Sequence, residues 1–141
     1  MIRIASAVDS ESIAILLEQL GYPAPASAIP GRLLNLRADG RSEAFVAIRD
    51  EQVAGLATVH LQASLTRQED IAQLTTLVVA EAARGQGLGR QLVHAAEAYG
   101  RRHGCGRIVV TTANHRVGAH DFYDRLGWEW TGRRYAKPLA P

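Results

Sequence analysis

The sequence predicts a mixed α/β domain, ordered strand, two helices, three strands, helix, strand, helix, strand over residues 1–141. Two observations carry this. Apolar positions switch between a period near two and a period near 3.6 along the chain, and the switches fall at glycine, proline and capping residues. No internal repeat, linker or low-complexity tract interrupts the series, so a single folding unit is expected at this length.

Ile2 to Ala5 reads as a short strand. Ser6-Ala7-Val8-Asp9 then has the capping-box pattern ahead of Ile13, Leu16, Leu17 and Leu20 at helical spacing, and Gly21 stops that helix. Tyr22-Pro23-Ala24-Pro25 and Pro30 mark a loop, and Leu33, Leu34 and Leu36 suggest a second, short helix ending near Gly40. Ala44 to Arg49 and Val53 to Leu61 are rich in strand-forming residues, and Asp50-Glu51-Gln52 is short enough to join them as a hairpin. Ile71 to Ala80 is a third strand of this group, with Leu77-Val78-Val79 apolar on both faces.

Leu88, Leu92, Val93, Ala96 and Tyr99 share one side of a helix that Gly104 closes. Arg107 to Ala113 reads as a strand, and Asn114 opens a helix with Val117, Phe122 and Leu126 on its buried face, ended by Gly127. Trp128 to Tyr135 alternates like a final strand.

Composition excludes several classes. The chain is 47% hydrophobic and 21% charged, as in ordinary globular proteins, and nothing resembles a membrane span. Its N-terminus lacks the apolar run of a signal peptide, so a cytoplasmic location is expected. Cys105 is the only cysteine, which rules out an intrachain disulfide and points to a buried, inert thiol. Sixteen basic residues face fourteen acidic ones, and Lys137 is the only lysine. The arginines are scattered, so no nucleic-acid partner is expected. No metal is expected either, because His115 and His120 are five apart and share a helical face poorly, and His94 and His103 add no ligand spacing. Arg101-Arg102-His103 dresses a helix end, and Arg133, Arg134 and Lys137 either contact an acidic acceptor or keep an edge strand soluble.

The segment Arg84-Gly85-Gln86-Gly87-Leu88-Gly89 lies between a strand and a helix. The first amides of a helix have no internal partner and carry partial positive charge, so such a turn attracts an anion. Glycines there let the backbone approach a pyrophosphate, and Arg84 adds a charge-assisted contact. A Walker A loop is excluded because Gly89 is followed by Arg90 and Gln91. A dinucleotide fingerprint is excluded because the glycines alternate and Arg90 stands where the third belongs.

Two segments together resemble the GNAT superfamily of N-acetyltransferases. Arg84, Gly87 and Gly89 fit its Q/R-x-x-G-x-G/A pyrophosphate pattern, although Ala80-Glu81-Ala82-Ala83 lacks the proline that many relatives place there. Asn114 followed by Ala119-His120-Asp121-Phe122-Tyr123-Asp124-Arg125-Leu126-Gly127-Trp128 resembles its N-x-x-A-x-x-F-Y-x-x-x-G-F/W signature, with a slightly longer first interval. The resemblance covers nearly the whole chain. It implies a mostly antiparallel mixed sheet flanked by helices and a site for acetyl-coenzyme A. In that site Arg84, Gly85, Gln86, Gly87, Leu88 and Gly89 would hold the pyrophosphate. Leu77, Val78 and Val79 would offer backbone groups to pantetheine, as though it were another strand. Asn114 would bond the pantetheine arm, Ala119 would leave room for the coenzyme, and Tyr123 would lie near its sulfur. From the residues alone, Tyr123 also reads as a core aromatic beside Phe122, and Asn114 as a simple N-cap.

The family chemistry is direct attack of a neutral amine on the thioester. It implies Tyr123 as proton donor to sulfur and an amide near Val79 for the oxyanion. Some relatives carry a glutamate in the strand before the turn, where this chain has Gln73, Thr75 and Thr76. Glu69 and Asp70 at the strand's entrance are therefore candidate bases, acting directly or through water, and His60 is another. Each also reads as an ordinary surface residue. The stretches Val59-His60-Leu61-Gln62, Leu77-Val78-Val79 and Ala119-His120-Asp121-Phe122-Tyr123 most resemble small bacterial amine acetyltransferases, aminoalkylphosphonate enzymes among them, which implies a small primary amine as acceptor. Protein or peptide acetylation and a non-catalytic acetyl-CoA sensor stand as alternatives, and homodimers are common in this fold.

Overall fold

The computed structural model describes residues 1–111 and 117–140. Met1–Val110 forms one compact unit and Thr111–Pro141 a second, smaller one. The first unit holds β1 (Ile2–Ile4), α1 (Ser10–Leu20), α2 (Ile29–Arg37), β2 (Ser42–Arg49), β3 (Gln52–Gln62), β4 (Ile71–Val79), α3 (Leu88–Arg102) and β5 (Arg107–Val110). The second holds α4 (Val117–Arg125). The five strands lie in one sheet in sequence order, antiparallel except for the parallel pair β4 and β5.

Local chemistry starts α1 in two stages. A 3₁₀ turn at Ala7–Asp9 precedes the helix, and Asp9 reaches back to accept the Ser6 amide at 2.9 Å. The Arg3 guanidinium donates to both Asp9 oxygens, at 2.9 and 2.8 Å. Asp9 is only 4% exposed, so these bonds replace the water it has lost. Its hydrogen bonds from Arg3 hold the carboxyl below its ordinary pKa. The resulting stability is present above the unfolded-state pKa and is lost as pH falls through the lower folded value. Asp9→Ala leaves the Ser6 amide without its acceptor and should cost about 1–3 kcal/mol. Urea unfolding at neutral pH checks this, and an unmoved midpoint would contradict it.

The β2–β3 turn is a two-residue loop, Asp50-Glu51, with φ of +50° and +64° at its centre and Arg49 paired to Gln52. That geometry matches the right-handed twist of a tight hairpin. Pro30 does not punctuate a loop. It stands in the first turn of α2, where its missing N–H costs no helical bond.

Helices cover the two faces of the sheet. Ile13 and Leu16 of α1 and Ile29 and Leu33 of α2 pack with Ala5, Ala44, Val46, Leu56 and Val78 on one face. On the other, Leu92 of α3 lies so close to Gly55 that a Cβ there would sit 2.9 Å from Leu92 Cδ1 and 3.3 Å from the Val78 carbonyl. Gly100 approaches Ala72 in the same way, at 3.0 Å. The five apolar positions expected on α3 are all buried.

One expected element is absent: residues 128–135 form no strand. Their alternation breaks at Gly132-Arg133-Arg134. The Trp130 indole donates to the Gly132 carbonyl at 2.6 Å, a local bond that favours a turn over an extended ladder.

Candidate coenzyme site

The site is built from β4, the turn that follows it and the start of α3. Hydrogen bonding to β3 decides which way the β4 backbone points. Ala80 donates to the Ala54 carbonyl at 2.8 Å, while Val78 pairs with Leu56 and Thr76 with Thr58. Antiparallel alternation therefore turns the amides and carbonyls of Leu77 and Val79 to the opposite edge, away from β3. β5 pairs only with Ile71 to Leu74, and among the described residues no strand pairs with β4 beyond that point. The Arg84 Nε takes the Val79 carbonyl at 3.2 Å, which ties the turn to the strand end. Val78 contributes differently, since its side chain belongs to the apolar core.

A 3₁₀ turn at Glu81–Ala83 leads from β4 to the glycines, and its first amide donates to the Gln19 side chain at 3.1 Å. Gly85 and Gly87 have φ of +78° and +83°, a conformation that disfavours any side chain. A Cβ at either would meet nothing within 4 Å, so the need for glycine here is conformational and not one of crowding. Gly87 is the N-cap of α3 and no side chain caps that helix. Its first amides stand ready for an anion beside the exposed Arg84 and Gln86. Leu88 points the other way and is buried in the core, and Gly89 follows it in the first helical turn.

Tyr123 lies on α4. Its ring is 5.1 Å from those of Phe122 and Trp128, and only 8% of the residue is exposed. Burial pushes its phenol up to about 12, so the proton stays on the oxygen at neutral pH. The helix ends where the Gly127 and Trp128 amides bond the Asp124 and Tyr123 carbonyls, with Gly127 at φ +83°. Ala119 is half-buried on α4, and Asn114 lies outside the described residues.

The carboxylates at the entrance of β4 are not brought to this end. Ile71 lies opposite Gln62 and Leu77 opposite Ala57, five steps of β3 or about 17 Å apart. Asp70 is bound there by Arg41 at 2.8 Å, and Glu69 lies against Gly106. Cys105 is half-buried, and burial raises its thiol pKa.

Sequence reading missed a bulge in β4. Thr58 pairs with Thr76 but Val59 pairs with Leu74, so Thr75 is the extra residue, and its hydroxyl lies 2.6 Å from that of Thr58. Adjacent threonines carry no bulge signal, since either could occupy a regular strand. A cavity of about 590 Å³ also opens between β1, the start of α1 and the β2–β3 turn. Its lining includes Arg3, paired with Asp9, the Met1 ammonium, which donates to the Ile48 carbonyl, and Glu51.

Residues 14–128 match the acetyltransferase (GNAT) family. The chain is 30% identical over 143 residues to the aminoalkylphosphonate N-acetyltransferase of Salmonella typhimurium, covering 98% of this chain and 90% of that protein. The crystal structure of a transcriptional regulator from Bacillus halodurans C-125 superimposes with a TM-score of 0.87 at 29% identity, covering 99% of each chain. An aminoglycoside N-acetyltransferase in complex with CoA shares the fold, with a TM-score of 0.86 at 20% identity over 99% of this chain and 95% of that one. The chain belongs to the GNAT acetyltransferase family and is an acetyl-CoA-dependent acyltransferase. Among the described residues, no helix is long and apolar enough to cross a membrane.

Proposed function

We propose that this chain, as one domain over residues 1–141, moves the acetyl group of acetyl-CoA to the primary amine of a small molecule by direct attack. The observation that carries the reading is continuity. The outward edge of β4 at Leu77 and Val79 runs into the uncapped start of α3 through Arg84 to Gly89. That order suits an amide-bearing arm followed by a pyrophosphate. The similarity to an aminoalkylphosphonate enzyme supports a small amine, and the family match across both units supports a single domain.

In this reading Arg84 to Gly89 hold the pyrophosphate, and Leu77 and Val79 pair with pantetheine. Asn114 contributes to the same arm. The Val79 amide is the donor for the oxyanion, and the protonated Tyr123 donates to the departing sulfur. Glu69 and Asp70 fit poorly as direct bases, because Asp70 is held by Arg41 and both belong to the far end of β4.

An acceptor panel tests the reading, with release of free coenzyme A as the signal. It should span aminoalkylphosphonates, polyamines, amino acids, aminoglycosides and peptides. Turnover is expected with a small amine. Turnover confined to peptides would move the assignment to protein acetylation, and tight coenzyme binding without turnover of any amine would make the chain a sensor.

A further inference from the structure

We propose that His60, oriented by Ser42, takes the proton from the acceptor's ammonium group. The proposal rests on the amine reading above.

An acceptor reaches the sheet only where no helix seals it. α3 closes one face, since Leu92 lies on Gly55 and Gly100 on Ala72. On the other, α1 and α2 bury Ala44, Val46, Leu56 and Val78 and pack apolar side chains there. Along that same face the side chains then turn polar. Cross-strand pairing places Thr58 beside Ala44 and Thr76, and Ser42, His60 and Gln73 in the next row. The β4 bulge adds Thr75, hydrogen-bonded to Thr58 and exposed. Ser42, Thr58, His60, Gln73 and Thr76 are half-buried and Thr75 is open, so the patch is shielded but reachable.

His60 is the titratable side chain among these six residues. Its Nδ1 lies 2.7 Å from Ser42 Oγ, and no bond to Nε2 is present among the described residues. With Nδ1–H donating to Ser42, Nε2 keeps its lone pair for a proton. Ala57, three residues before His60, pairs with Leu77 at the coenzyme edge, so the two lie about 10 Å apart along β3. A small amine fills that gap. The ammonium gives one proton to Nε2, and the freed nitrogen lone pair forms the C–N bond. The C–S bond then breaks with its electron pair on sulfur. The acylated nitrogen sheds its extra proton, the sulfur gains one, and His60 returns its own to water.

The test compares the wild-type protein with His60→Gln and His60→Asn on the fastest amine of the panel and on its aminooxy analogue, which is already neutral at pH 7. For the amine, kcat/KM should fall by about 100-fold, in the range of general-base catalysis. For the aminooxy compound the loss should shrink to about fivefold or less, because no proton has to be removed before attack. Coenzyme A affinity by calorimetry should not change. Equal losses on both acceptors, no loss on either, or a parallel loss of coenzyme affinity would each overturn the role. Ser42→Ala should reproduce a smaller part of the same selective loss. A wild-type protein that binds coenzyme A but acetylates no amine would overturn the amine reading itself, and His60's role with it.

Discussion

Tyr123→Phe is expected to lower kcat by about 100-fold or more while leaving coenzyme affinity nearly unchanged, the signature of a proton donated mainly in the transition state. The substitution removes one oxygen and keeps the ring between Phe122 and Trp128. Because burial raises the phenol to about 12, Tyr123 is a donor and not a base throughout the neutral range. Stability has a matching dependence. The raised pKa contributes stability that is fully present below the ordinary tyrosine value near 10. It is lost as pH rises through about 12. Tyr123→Phe should therefore remove that alkaline limb, as followed by melting temperature against pH. Steady-state rates at saturating substrates give kcat, and calorimetry gives the affinity. Unchanged turnover would take Tyr123 out of the mechanism.

Gly87→Val should act on the opposite quantity. Gly87 caps α3 at φ +83°, where a β-branched residue is strained by about 1–3 kcal/mol. If the turn relaxes to relieve that strain, the α3 amides swing away from the pyrophosphate. If it does not, the coenzyme must bind a strained loop. Affinity for acetyl-CoA should fall by about 5- to 150-fold, since about 1.4 kcal/mol is tenfold. The value of kcat at saturation should change much less. Gly31→Ala is the control: this glycine lies in α2, without a positive φ and with open space at its Cβ. It should leave coenzyme binding untouched. Equal affinities for Gly87→Val and the wild type would place the pyrophosphate elsewhere.

What could be read in the sequence is what depends on neighbours in the chain. The turn between β4 and α3 was legible because a strand, three alternating glycines and an amphipathic helix lie within one short stretch. The buried face of α3 was legible for the same reason. The proposed proton acceptor was only partly legible, because His60 stood beside Glu69 and Asp70 as one of three candidate bases. Its setting depends on Ser42, His60 and Gln73 meeting across three strands, and on a bulge that two neighbouring threonines do not announce. Glu69 and Asp70 drew attention because they are carboxylates near the right strand, yet distance along β4 separates them from its proposed coenzyme end. The final strand failed as an expectation because alternation marks a willing strand but supplies no partner. Pro30 misled because proline suits a loop and the first turn of a helix equally well.

The bulge at Thr75 also gives β4 two counting frames. Before it, even-numbered residues such as Ala72 and Leu74 share the α3 side with Val59 and Leu61 of β3. After it, the odd-numbered Leu77 and Val79 take that side, opposite Ala57 and Gly55. A role carried over from a relative whose strand lacks the bulge, counted back from the glycine turn, falls on one face of the sheet. The same role counted forward from the strand's first residue falls on the other. For the missing carboxylate of β4 that difference separates a side chain facing the acceptor from one sealed beneath a helix.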